Sequence, residues 1–244
     1  MDPTHTIDEL DHLIRALSHD MRANYMVLEH SFGKMKQSLD GLLSEEPPEQ
    51  LGEQVLHVEA CMRQSKRFLE DLAALAGSGR VEMEPARVEL AAVVDEVLYE
   101  QRELLQSRGV DVVAESPLPV LWCNADRLKQ VVTNLVRNAV RHGCDATEPR
   151  ITIASTIPGE DSGGDSRRRM LAFRVHDNGP GIDARFRDAV FRPGRRLDSA
   201  HPEGSGMGLA IVRKIVEHYG GSVGIDAHCP QGTAFVVEIG RAHV

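Results

Sequence analysis

The chain has 244 residues, 41% hydrophobic and 27% charged, the makeup of a soluble globular protein of one or two domains. Its formal charge of -9 excludes nucleic acid or an anionic membrane surface as the main partner. Cys61, Cys123, Cys144 and Cys229 lie far apart and form no CxxC pair, so neither a zinc site nor a disulfide framework is expected. No apolar run approaches the ~18 residues of a membrane span, and the acidic start MDPTHTIDELDH is no signal peptide, so the chain reads as cytoplasmic.

Residues 6 to 77 carry helical periodicity and no strand signal. From Ile7 a 3-4 alternation runs through Leu10, Ile14, Leu17, Met21, Asn24, Leu28, Ser31, Met35, Ser38 and Leu42, with Tyr25, Phe32 and Leu39 widening the apolar face. Pro47 and Pro48 break it, because proline has no N–H for the next helical bond. A second seam follows at Leu51, Val55, Val58, Met62, Ser65, Leu69, Leu72 and Ala76, and Gly77-Ser78-Gly79 ends it. A helical hairpin buries each helix on one side only, so a second copy completes it as a four-helix bundle. On this pattern alone, an ordinary dimerisation stalk fits equally well.

From about residue 80 the pattern changes. VEMEPARVEL reads as an extended lead-in, and LAAVVDEVLYEQRELLQSRG as one amphipathic helix stopped by Gly109. VDVVAES and PVLWCN read as short strands around a proline-marked turn, and ADRLKQVVTNLVRNAVRHG as a strong helix. ITIAST and MLAFRVHD read as strands joined by the hydrophilic loop IPGEDSGGDSRRR. A stretch rich in Gly, Pro and Arg leads to the helix GLAIVRKIVEHYG, and the strands GSVGID and GTAFVVEI close the chain. The expectation is an α+β protein, with the hairpin over 1–78 and an α/β sandwich, helices on one face of a sheet, over 79–244.

Four clusters in the second half carry chemistry. Asn134 and Asn138 share a helix face, with Arg141 and His142 one turn further on; carboxamides and a cation there suit a metal-bound polyphosphate. Asp177-Asn-Gly179-Pro-Gly181-Ile182 follows a strand, where the glycines permit close backbone approach and the carboxylate suits an exocyclic amino group. Gly204-Ser-Gly206-Met207-Gly208-Leu209 runs into a helix whose first N–H groups can hold an anion; it matches neither the P-loop nor the dinucleotide fingerprint. Gly232-Thr233 opens the last strand. Singly, each also fits a bland reading as a solvated helix face or a glycine-rich turn.

Together, NLVRNAVRH, DNGPGI, VFRPGRRLD, GSGMGLAIV and QGTAF resemble, in order, the N, G1, F, G2 and G3 boxes of sensor histidine kinases, and LSHDMR resembles their H box. The resemblance spans about residues 10 to 240. It implies a homodimeric phosphotransfer hairpin followed by a Bergerat-type (GHKL) domain that takes ATP and Mg²⁺, with a response-regulator receiver aspartate as acceptor. Carried over by position, His19 would be the phosphoacceptor and Asp20 its orienter and base. Asn138 would hold Mg²⁺, and Asn134 and Arg141 would lie near the phosphates, with His142 beside the nucleotide. Asp177 would bind the adenine amine, with Gly179, Gly181 and Ile182 shaping the base pocket and Thr233 supporting the carboxylate. Gly204, Gly206, Met207, Gly208 and Leu209 would form the phosphate end. Residues 183 to 203 would be a lid, with Arg185, Arg187, Arg192, Arg195 and Arg196 available to neutralise phosphoryl charge. ATPases of this fold carry a water-activating glutamate at the Asn134 position, so the site looks built to deliver phosphate elsewhere. The alternative is a dimeric phosphotransfer or nucleotide-gated scaffold without autokinase activity.

His19 sits at an outward heptad position, where an imidazole neutral near pH 7 is a competent nucleophile. The family's usual Thr or Asn and then Pro are here Ala23 and Asn24. Losing the proline predicts a straighter helix, and losing the hydroxyl or amide predicts weak phosphatase activity. Asn24 falls on the seam, where a buried Asn fixes register. Gly194 replaces a second aromatic of the F box, which bears on lid packing.

Overall fold

A computed structural model of the chain describes residues 85–143, 148–156, 171–195 and 206–239, and positions within 25–37 and 55–72. His19, Asp20, Ala23, Asn24, Arg196 and Gly204 lie outside the described residues. The chain divides into two compact units, Met1–Gly79 and a larger one built from Arg80–Leu197 and Gly206–Val244. Among the described residues no helix is long and apolar enough to cross a membrane.

In the N-terminal unit, every described position within 25–37 and 55–72 is helical. Tyr25, Met62 and Leu69 are buried together, with Phe32 packed against them. Lys36 Nζ meets Glu59 Oε1 at 2.6 Å, and Lys66 Nζ lies 3.8 Å from Glu29 Oε1. Val58, a seam position, is 39% exposed.

The larger unit opens with a two-stranded antiparallel ribbon of β1 (Ala86–Glu89) and β3 (Val120–Cys123). Its main sheet has five strands in the order β2-β4-β5-β7-β6. Here β2 is Asp111–Ala114, β4 Arg150–Thr156, β5 Leu171–Asp177, β6 Ser222–Ile225 and β7 Thr233–Ile239. Only β2 and β4 run parallel. The strands flanking the Pro117 turn, β2 and β3, therefore pair with different partners rather than with each other.

Among the described residues four α-helices complete this unit: α1 (Leu90–Glu100), α2 (Arg102–Ser107), α3 (Ala125–Gly143) and α4 (Gly208–His218). Packing of α3 on β4, β5 and β7, and of α4 on β6 and β7, makes the helix-on-sheet sandwich. The sequence explains α3 well. Asn124 caps it, its Oδ1 accepting from the Arg127 N–H at 3.1 Å, while Asp126 in the first turn and Arg141 and His142 in the last suit the helix dipole. Its apolar stripe, Leu128, Val131, Val132, Leu135 and Val136, is no more than 1% exposed. Each such side chain contributes about 1.5–3 kcal/mol on leaving water. That stripe faces Ile153, Phe173, Val175 and Phe235 of the sheet, all at most 1% exposed, and leaves the Asn134–Asn138 face outside the core.

The single helix expected over 90–109 is interrupted at Gln101, which has φ -93° and ψ 5°. Its buried side chain accepts from Arg137 Nε of α3 at 2.9 Å, a tertiary bond that holds the break in place. Gly109, at φ +61°, then ends α2 as expected.

Candidate nucleotide-binding site

Asp177 is the last residue of β5, with β4 on one side and β7 on the other. It is 3% exposed. Its Oδ1 accepts from the Gly179 N–H at 3.1 Å and from the Thr233 N–H at 3.3 Å. Thr233 thus supports the carboxylate with its backbone, as its register partner on β7, not with its hydroxyl. Burial raises the pKa of Asp177 above the ordinary carboxylate value, and the two backbone donors and neighbouring His176 pull it partly back. Both bonds go to Oδ1, so Oδ2 is left to accept from a ligand.

Three backbones crowd around this carboxylate. A Cβ on Gly179 would lie 2.6 Å from Gly143 Cα and 2.8 Å from the His142 carbonyl oxygen. A Cβ on Gly143 would come within 2.9 Å of Asp177 Cβ, and one on Gly232 within 1.7 Å of the Asp177 carbonyl oxygen. Gly181, at φ +81°, faces the Gly232 carbonyl in the same way. The end of α3, the G1 loop and the start of β7 therefore meet by backbone contact. Gly143 and Gly232 complete a slot whose outer members sequence motifs identify; a helix-terminal glycine reads as a simple cap until its neighbour is known.

The expected phosphate end draws on α3 and α4. Asn134 Oδ1 lies 3.4 Å from where a Gly208 Cβ would stand, so the carboxamide sits beside the first residue of α4. The Asn134 amide nitrogen is buried and has no hydrogen-bond partner among the described residues. Met207, buried, precedes α4 and gives no side-chain cap, leaving the first-turn N–H groups without a capping side chain. Gly206, at φ +70°, accepts from the Gly194 N–H at 3.1 Å and so ties the two stems of the expected lid. Asn138 and Arg141 are half-buried on the same side of α3, His142 is exposed, and Ile182 and Leu209 are half-buried.

Among the lid arginines, Arg185 is taken up by Asp183 at 3.2 Å and by the Phe186 ring, and Arg187 Nε donates to the Ile182 carbonyl at 3.4 Å. The side chains of Arg192 and Arg195 are exposed. Phe191, the F-box aromatic, is buried edge-on against Phe235 of β7 with the Arg213 guanidinium of α4 over its face. Phe191 itself is thus packed without a second aromatic at Gly194.

Residues 123–243 match the family described as histidine kinase-, DNA gyrase B-, and HSP90-like ATPases. The methanogenesis regulatory histidine kinase FilI of Methanothrix harundinacea is 28% identical over 225 residues, covering 92% of this chain. The sensor protein SrrB of Staphylococcus aureus is 26% identical over 245 residues, covering 96% of it. Residues 123–243 thus form an ATPase domain of that family, and nearly the whole chain is similar to sensor histidine kinases. The chain spans 24% and 39% of the lengths of these two relatives. Its fold is that of the histidine kinase ShkA, solved full-length in complex with AMPPNP, with a TM-score of 0.70 at 23% identity over 96% of this chain and 47% of that one.

Proposed function

We propose that this histidine kinase binds ATP in the slot around Asp177, transfers the γ-phosphoryl group to His19 and passes it on to an aspartate of a response-regulator receiver domain. The observation that carries the reading is a pairing of two groups: the Asp177 carboxylate at one end, both of whose backbone bonds go to Oδ1, and the buried, unpartnered Asn134 amide at the other. A buried donor without a partner costs about 1–3 kcal/mol in the free protein. An anionic ligand oxygen removes that cost. Adenine presents its amino group to Asp177 Oδ2, and the phosphates take the Asn134 amide and the open N–H groups of α4.

The donor chemistry of the site fits magnesium. Asn138 offers a hard carboxamide oxygen on the half-buried α3 face and would hold the ion, which would neutralise charge on the triphosphate. With asparagine rather than glutamate at position 134, no side-chain base stands ready to activate water at that place. A ring nitrogen of His19 attacks the γ-phosphorus, the bond to the bridging oxygen breaks, ADP leaves with the electron pair, and Asp20 takes the imidazole proton.

Two ion pairs support an antiparallel hairpin, since one partner steps from 36 back to 29 as the other steps from 59 on to 66. The 39% exposure of Val58 on the seam leaves apolar surface for a second copy, which would close a four-helix bundle. The test is incubation with γ-labelled ATP and Mg²⁺. The expected product is an acid-labile phosphoprotein that vanishes in His19→Gln. Nucleotide binding without label would sink the kinase reading and favour a nucleotide-gated scaffold.

A further inference from the structure

Asn178 follows the base-binding aspartate and makes more hydrogen bonds than its place in a glycine-rich turn requires. Its backbone N–H donates to the Arg150 carbonyl at 3.2 Å, continuing the β4–β5 ladder one residue past Asp177. In an antiparallel pair the reciprocal bond runs from the Arg150 N–H to the Asn178 carbonyl. Here the Asn178 side chain takes that bond instead, Oδ1 accepting from the Arg150 N–H at 2.8 Å. Its Nδ2 donates to the Glu148 carbonyl, also at 2.8 Å. The displaced Asn178 carbonyl turns away and accepts from Gln231 Nε2 at 3.3 Å. The Gln231 carbonyl is in turn bonded by His176 Nε2 at 2.9 Å and by Cys229 Sγ at 3.0 Å.

The consequence is geometric. The chain leaves the sheet at residue 178 without stranding the Arg150 N–H, so Gly179 can fold back and give its N–H to Asp177 Oδ1. The same redirected carbonyl ties the turn before β7, whose Gly232 and Thr233 pack on and bond to Asp177. From this we infer that Asn178 is a positioning residue for base selection: its side chain stands in for backbone and so aims the Asp177 carboxylate. It touches no nucleotide itself. The inference rests on the reading that Asp177 accepts the 6-amino group of adenine.

A merely structural role weakens every nucleotide alike, whereas an aiming role removes discrimination at the 6-position. The experiment titrates wild type, Asn178→Ala, Asn178→Asp and Asp177→Asn with ATP and with inosine triphosphate, which carries an oxygen where ATP carries the amine. Wild type is expected to prefer ATP, and Asp177→Asn to lose that preference. If wild type binds both equally, the base reading of Asp177 falls and this inference with it. Given wild-type preference, Asn178→Ala is expected to lower the ATP-over-inosine ratio about tenfold, the equivalent of one misaligned hydrogen bond. Asn178→Asp, which keeps the acceptor for Arg150 but loses the donor to Glu148, is expected to fall between, and it serves if the alanine variant does not fold. An unchanged ratio in a folded Asn178 variant, with both affinities lowered in parallel, overturns the inference while leaving Asp177 in its role.

Discussion

Replacing Asp177 by asparagine separates the two demands on this side chain. Asparagine keeps the shape, and its Oδ1 can still accept from the Gly179 and Thr233 N–H groups. The second carboxylate oxygen becomes an NH₂, which faces the adenine amine donor to donor. One hydrogen bond to a charged acceptor is lost, about 1.5–3 kcal/mol, and a buried donor is left unpaired, about 1–3 kcal/mol. ATP affinity should fall roughly 10²- to 10⁴-fold. Stability should move the other way. Burial holds the pKa of Asp177 above its ordinary value, so the folded state keeps this proton more tightly than the unfolded chain does. The charged carboxylate therefore costs stability above both pKa values, and that cost fades as pH falls through the folded pKa towards the unfolded one. The asparagine variant should melt at or above wild type at neutral pH, and its advantage should vanish in acid. Melting curves and calorimetric titrations with ATP, taken from neutral pH down through the acid range, read both effects. Comparing the proteins at each pH cancels the nucleotide's own titration. Wild-type affinity should drop towards acid as Asp177 protonates, while that of the variant stays level. A variant that binds ATP like wild type, or melts far below it, would refute the reasoning.

Two further substitutions probe the frame of the site. Asn134→Leu removes the buried unpartnered amide at nearly constant shape, so the free protein should gain up to about 1–3 kcal/mol while the rise in melting temperature on adding Mg²⁺-ATP shrinks; a destabilised variant with a normal ATP response would contradict this. Gly232→Ala adds a Cβ 1.7 Å from the Asp177 carbonyl oxygen at φ +76°, whereas Gly220→Ala, at φ +66°, meets nothing within 4 Å. The first should cost about 2–5 kcal/mol and the second only about 1–2 kcal/mol, so equal chemical-denaturation midpoints would show that the close approach is not real.

Much of this was legible because it is local. The apolar stripe of α3, its Asn124 cap and the glycine spacing of the three loops depend on neighbours within a turn or two, and they fall where periodicity puts them. What escaped is set by distant partners. The interruption at Gln101 comes with a side-chain bond to Arg137, 36 residues on. Strand β2 pairs with β4 rather than with β3 across the short turn, and no pattern within either strand encodes that choice. At the site, Asp177 could be named from its motif, but the saturation of its Oδ1 by two N–H groups could not, since one donor lies 56 residues away. Asn178 looked like turn filler because its four bonds reach residues 148, 150 and 231.

Strand β5 is the middle strand of the five-stranded sheet, bonded on both sides, and Asp177, the proposed base-binding carboxylate, sits at its end. Amides in such a strand exchange with solvent only when the whole unit opens, while loops and edges exchange through small local fluctuations. The group proposed to recognise the base is thus fixed to the slowest-exchanging element, and the stems around Gly194 and Gly206 belong to the faster class. Deuterium should enter the latter within seconds and β5 only on global unfolding. On the proposed reading, opening the phosphate end would leave the base slot intact, and nucleotide exchange would need no partly unfolded state.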